Sequence, residues 1–180
     1  MKTYKILCLC TLFVALVACK EDKKTTPEVK TVETKQVAAT HTSEAITADF
    51  NDEKLKDVFT QYVALKTAFV NTDAAQASKE ASNLMTAFAN IGVEDVALQA
   101  AQNIVESNDV EVQRSAFVIV TTEVEKMLEG AIAEGVIYKQ YCPMAFDNTG
   151  AFWLSESKEI RNPYFGDKML KCGRVASEIK

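Results

Sequence analysis

The sequence predicts a mainly α protein: an up-down four-helix bundle, then a C-terminal turn-rich segment containing short strands and a short helix. Three observations carry that prediction. Between Asn51 and Leu128, apolar residues recur at steps of three and four, the period of a helix with one buried face. Asx residues at 51, 73 and 109 precede these runs, and Gly92 and Gly130 follow two of them, as helix starts and stops require. After Gly130 the composition changes: five of the six glycines, two of the three prolines and seven of the fifteen aromatics lie between Gly130 and Gly173.

The first helix is expected from Asn51, its N-cap, with Leu55, Val58, Phe59, Tyr62, Leu65 and Phe69 inward and Asp52 and Glu53 in its first turn. Asp73 with Gln76 makes a start like a capping box for the second, whose Ala74, Ala77, Ala81, Leu84, Phe88 and Ile91 face the core up to Gly92. The third places Val93, Val96, Ala97, Ala100, Ala101, Ile104 and Val105 on one face. The fourth runs from about Asp109 to Leu128, with Phe117, Val120, Val124, Met127 and Leu128 inward. Short connections make antiparallel neighbours. Beyond them, Val136 to Tyr138 and Ala151 to Leu154 have strand composition, with a turn at 147–150 between them. Residues 161–166, RNPYFG, form another turn, and DKMLKCG at 167–173 reads as one or two helical turns stopped by Gly173. A segment of about 45 residues makes a poor core alone, so it should lie along the bundle.

The N-terminus indicates where the chain acts. Lys2 and Lys5 precede an apolar run, Ile6 to Ala18, of about 13 residues, too short to span a bilayer and matched to a cleaved signal peptide over 1–18. Leu16-Val17-Ala18-Cys19 resembles the lipobox of bacterial lipoproteins, which implies lipidation of Cys19 and a stable membrane anchor. Lys20 after that cysteine favours the outer membrane, facing the periplasm or exposed at the surface. Residues 19–49 hold no Gly, no aromatic and no sustained apolar period, and read as a disordered tether of about 30 Å reach. His41, the single histidine, falls within it as a solvated linker residue. The folded domain is then expected over 50–180. Loss of Lys2 and Lys5 with the leader takes the formal charge from −5 to −7, which argues against nucleic acid as a partner.

With Cys8 and Cys10 in the leader and Cys19 lipidated, Cys142 and Cys172 are the remaining thiols. Each has a methionine near it: Met144 two residues on, Met169 three before. An extended backbone would put Cys142 and Met144 on one side, and a helical turn would make Met169 and Cys172 neighbours. If the segments meet, two thiolates and two thioethers form a soft ligand set that suits Cu(I), whereas zinc would favour histidine over thioethers. The alternative is structural. In an oxidising compartment the two thiols would form a disulfide closing a loop of about 30 residues, worth about 3.5 kcal/mol in chain-entropy terms, with the methionines filling core gaps. Trp153, Tyr164 and Phe165, with Phe152, either form a binding surface or pack the segment onto the bundle. Asp147, Glu156 and Glu159 read as solvated loop charges.

The runs CPMAFDNTGAFWLS (142–155), EIRNPYFG (159–166) and MLKCG (169–173) resemble the domain-of-unknown-function 3347 family, over about Phe50 to Ile179. The resemblance implies a helical bundle with a sulfur-bearing C-terminal motif. It also implies a link to copper handling, because the family includes bacterial lipoproteins and segments attached to copper and silver efflux membrane-fusion proteins. An envelope protein or a metal-efflux assembly is the expected partner. No enzyme is expected: no histidine lies in the folded part to activate Cys142 or Cys172, and there is no GxSxG, phosphate loop, dinucleotide fingerprint or CxxC.

Overall fold

The computed structural model describes residues 40–93 and 95–180. The expected leader, Cys19 and the tether up to residue 39 lie outside the described residues. Four long helices pack together: α1 (Glu53–Val70), α2 (Ala74–Ile91), α3 (Asp95–Glu106) and α4 (Val110–Met127). Each packs on the next, and α1 also reaches α4. Five strands follow the helices or flank them: β1 (Asp49–Phe50), β2 (Ile132–Glu134), β3 (Ile137–Cys142), β4 (Ala151–Ser155) and β5 (Arg174–Ile179). A 3-10 turn spans Gly166–Lys168. Among the described residues no helix is long and apolar enough to cross a membrane.

The helix ends follow local chemistry. Asp73 caps α2 through the Gln76 N–H at 2.9 Å, and Asp109 caps α4 through the Glu111 N–H at 2.8 Å. Asp52, not Asn51, caps α1, accepting from the Lys54 N–H at 2.8 Å. Asn51 sits one residue too early; it instead ties β1 to the end of α4, donating its backbone N–H to Ala131 O and its side chain to Gly130 O. Gly92 ends α2 with φ +70°, the left-handed value that closes a helix without steric cost in glycine alone.

The core runs through Val58, Phe59, Tyr62, Leu65 and Phe69 of α1, Ala77, Ala81, Leu84 and Phe88 of α2, Ala97, Ala101 and Ile104 of α3, and Phe117, Val120 and Val124 of α4. Two expected core residues are outside it: Ala74, at the first turn of α2, is half-buried, and Val96 is 55% exposed. The apolar face of α3 is set by the alanines at 97, 100 and 101, and Val96 stands one residue off that stripe.

The C-terminal segment is more ordered than its turn-rich composition suggests. β3 is the centre of an antiparallel sheet with the order β4-β3-β5. The β3–β4 hairpin pairs Tyr141 with Phe152 and Cys142 with Ala151. β5, missed in the sequence because its alternation is weak and it is almost wholly exposed, pairs along the other edge and brings Tyr141 opposite Arg174. The hairpin is docked to the helices at Leu154 and at Lys139, and the Tyr62 hydroxyl that receives Leu154 is itself held by α4. The Leu154 N–H donates to Tyr62 Oη at 3.0 Å, Tyr62 Oη meets Thr121 Oγ1 at 2.9 Å, and Lys139 Nζ reaches Glu125 at 2.6 Å. The segment therefore lies along the bundle, as its size requires.

Candidate functional site

The register of β3 with β5 creates the sulfur pair. With Tyr141 opposite Arg174, Cys142 at the end of β3 falls alongside Gly173 and its neighbour Cys172. The two Sγ atoms stand 3.0 Å apart, while a disulfide bond needs about 2.05 Å. Cys142 is fully buried and Cys172 half-buried, and both are free thiols. The hydrogen bond with Cys142, aided by burial, pushes the Cys172 thiol up to about 11; a backbone hydrogen bond from Met144 works in the opposite direction.

Asn162 fixes the approach of Cys172. Fully buried, it donates its backbone N–H to Leu170 O at 2.8 Å and its side-chain amide to Cys172 O at 2.7 Å. Its Oδ1 accepts from the Tyr164 N–H at 2.8 Å. The asparagine amide supplies this donor and acceptor pair without charge, on a side chain short enough to serve its own loop. Loop 162–172 is thus closed on itself and then fastened to the helices by Arg114. The Arg114 Nε donates to Pro163 O at 2.7 Å, Nη2 to Phe69 O at 2.9 Å and to Thr72 Oγ1 at 3.1 Å, and Nη1 to Glu111 at 2.7 Å. Burial lowers the Arg114 pKa, and Glu111 opposes that shift.

The methionines take different places. Met144 is not on an extended strand: β3 ends at Cys142, and Met144 has φ −94° and ψ −8° at the start of a short helical turn, Ala145–Asn148. Within that turn Phe146, Asp147 and Asn148 all have positive φ, a left-handed path that costs non-glycine residues energy. Met144 is consequently 46% exposed. Met169 is half-buried, and its carbonyl accepts from the Cys172 N–H at 2.9 Å. The structure thus brings together the two cysteines and keeps the methionines as flanking neighbours in the chain. Among the described residues, no group of three or more His, Cys, Asp and Glu side chains is gathered to hold a metal.

The aromatic surface expected from Trp153 and Tyr164 does not form. Trp153 is fully buried, and Tyr164 is 4% exposed. Tyr164 packs by its ring against Phe117, Phe146 and Trp153, and its hydroxyl donates to Phe152 O. Phe165 is half-buried, and Phe152 alone of the four stands on the surface, beneath Lys139. These residues weld the segment to the bundle, which is why large aromatics cluster there.

Two further readings are corrected. The last ten residues of the expected tether are strapped to the fold. His41 exchanges backbone and side-chain hydrogen bonds with Asn71 and meets Asp167 at 2.9 Å. The Glu44 N–H donates to Glu156, Thr42 O accepts from Arg161, and Ala48 is buried. His41 is therefore not a solvated linker residue. Glu156 is buried too, paired with Lys66 of α1, each side chain 4% exposed, with Ser155 Oγ 3.3 Å from the ammonium. Burial lowers the Lys66 pKa, and Glu156 opposes that shift. The available signal was Lys66 itself, a charge set between Leu65 and Phe69 on the inward face of a helix. Asp147 and Glu159 are exposed, as expected.

Residues 58–134 match the family model described as protein of unknown function (DUF3347). The matched stretch runs from α1 to the end of β2 and stops before Cys142, so it covers the helices and not the sulfur motif. No curated protein and no solved structure matches.

Proposed function

We propose that this protein, which belongs to the DUF3347 family over its helical part, is an outer-membrane lipoprotein held through Cys19 that captures Cu(I) or a similar soft cation. The ligands are Cys142 and Cys172, with Met144 and Met169 as supporting thioethers. The observation that carries this reading is the approach of two free thiols to 3.0 Å, with a methionine within three residues of each. Sulfur donors of this kind select Cu(I) over hard cations. Binding displaces the thiol protons, so affinity rises with pH. The role is capture and buffering in the envelope, with a metal-efflux or other envelope protein as recipient, and no catalysis.

The same closeness favours a second reading, in which an external oxidant removes two electrons and two protons and the pair becomes a structural disulfide. The strap, the buried aromatics and the Asn162 clasp already order this region, so a disulfide would fix what is otherwise built.

Thiol accounting followed by anaerobic Cu(I) titration against a strong chelator, on the soluble chain from Lys20 onward, decides between them. One-to-one binding by the reduced protein, weakened in the Met144→Leu/Met169→Leu double variant, supports the copper reading. Leucine keeps the packing volume and removes the donor. A persistent Cys142–Cys172 disulfide, with only weak and methionine-independent copper binding after reduction, replaces it with the structural one.

A further inference from the structure

Six large apolar side chains are exposed among the described residues, and three of them, Val96, Val112 and Ile119, lie on the outer face of α3 and α4. Two open clefts occupy that face, of about 510 and about 340 Å³, and they share Asn103 and Ile119. They are therefore one groove. Its walls have matched spacing: Val96, Gln99, Ala100 and Asn103 on α3 stand at i, i+3, i+4 and i+7, as do Val112, Ser115, Ala116 and Ile119 on α4. Ala100 and Ala116 are buried at its base. A small-residue floor between apolar rims is the shape into which another helix lays its side-chain ridge. The length suits three turns, since the twelve residues of α3 extend about 18 Å.

Charge narrows the occupant. The ionised residues lining the groove are Asp95 and Glu106, and no Lys, Arg or His lines either cleft. A second copy of this face would set those carboxylates against their own kind, in a chain of formal charge −5, and like charges across an interface are unfavourable. We infer that the α3–α4 groove docks an amphipathic helix of a different protein, one whose apolar ridge is bordered by Lys or Arg. The site is separate from the sulfur pair and does not depend on metal binding there. Val96 acquires a purpose in this arrangement: its position one step off the core stripe places it on the rim.

The test uses the full chain and two fluorescent 18-residue helical peptides with the same leucine ridge, one flanked by lysine and one by glutamate, read by anisotropy. The lysine peptide should bind at least about tenfold more tightly than its glutamate twin. Ser115→Arg, an exposed change that fills and recharges the groove, should weaken it by a further tenfold or about that. Thr60→Arg, equally exposed on α1, should leave it within about twofold. Absence of binding, no preference between the peptides, or equal binding to the Ser115→Arg variant overturns the proposal. So does a dimer in sedimentation that Ser115→Arg abolishes, which would seat a second copy in the groove.

Discussion

The helical half and the C-terminal half of this domain are stabilised in different ways. From α1 to α4 most contacts are among side chains of interchangeable kind, such as Leu84, Phe88, Ile104 and Val120, whose contribution depends on volume and burial. From β3 onward they depend on particular atoms at particular positions: Asn162 as donor and acceptor, Arg114 reaching two carbonyls, Gly166 where a side chain would collide. A periodic half tolerates exchange of like for like, and a positional half does not. The sharpest trial of that contrast is a pair of substitutions. Arg114→Met keeps length and loses every donor, leaving Pro163 O buried without that partner and Phe69 O with only its backbone N–H partners at the end of α1; it should cost about 2–4 kcal/mol. Leu84→Met, equally buried, should cost less than about 1.5 kcal/mol. Urea denaturation of both variants measures the difference, and equal costs would erase the distinction.

The sulfur pair sharpens the contrast at a single atom. With its thiol pushed up to about 11 by Cys142, Cys172 should react slowly with an alkylating reagent at neutral pH. Only the thiolate attacks, so the rate should climb about tenfold per pH unit well beyond the ordinary thiol range. Levelling off near pH 9 in the reduced protein would mean that the Cys142 contact is not formed in solution.

A glycine pair follows, with smaller effects. Gly92 and Gly166 both have positive φ, +70° and +56°. A Cβ at Gly92 would meet nothing within 4 Å, while at Gly166 it would lie 2.3 Å from Thr72 Oγ1 and 2.8 Å from Val70 O. Gly92→Ala should therefore show backbone strain alone, about 1 kcal/mol, and Gly166→Ala about 2–3 kcal/mol. Thermal unfolding of the two variants reads the gap directly.

These differences also explain what could be read in advance. The four helices were legible because burial repeats along them: Phe59, Tyr62 and Phe69, or Ala77, Ala81, Leu84 and Phe88, announce a face however the chain is arranged elsewhere. Val96 is the larger exception, and it fails because an alanine-rich stripe leaves the direction of the face poorly marked. β5 was not legible, since Arg174 to Ile179 owes its strand to pairing with β3 and not to its own alternation. The meeting of Cys142 with Cys172 follows from that pairing; in sequence it was a condition shared by the metal and disulfide readings. Met144 left the expected side because Pro143 and Met144 turn the chain before a second strand residue can align the two sulfurs. The strap at 40–49 was hidden by its composition: Thr42 and Glu44 look solvated in sequence, and their partners Arg161 and Glu156 lie more than a hundred residues away.

The smallest effect concerns what closes loop 159–172. Glu159 accepts from Lys171 and, at 2.6 and 3.0 Å, from Arg161; Lys171 and then Arg161 hold its carboxyl at about 2, below its ordinary 4.5. A depressed carboxylate pKa adds stability that is complete above about pH 4.5 and is lost as the pH falls toward 2. Glu159 is exposed, so solvent and salt reduce that contribution to less than about 1 kcal/mol. Glu159→Gln should accordingly be slightly less stable than the parent at pH 6 and indistinguishable from it near pH 2, with the gap closing in 1 M salt. Urea melts across that range measure the gap, and cysteine alkylation on the same samples tells what it does. Unchanged protection of Cys172 in the variant would assign closure of the loop to the backbone bonds of Asn162, as a positional region requires. Faster alkylation would assign it to the surface charges, and the contrast between the two halves would then rest on Arg114 and Gly166 alone.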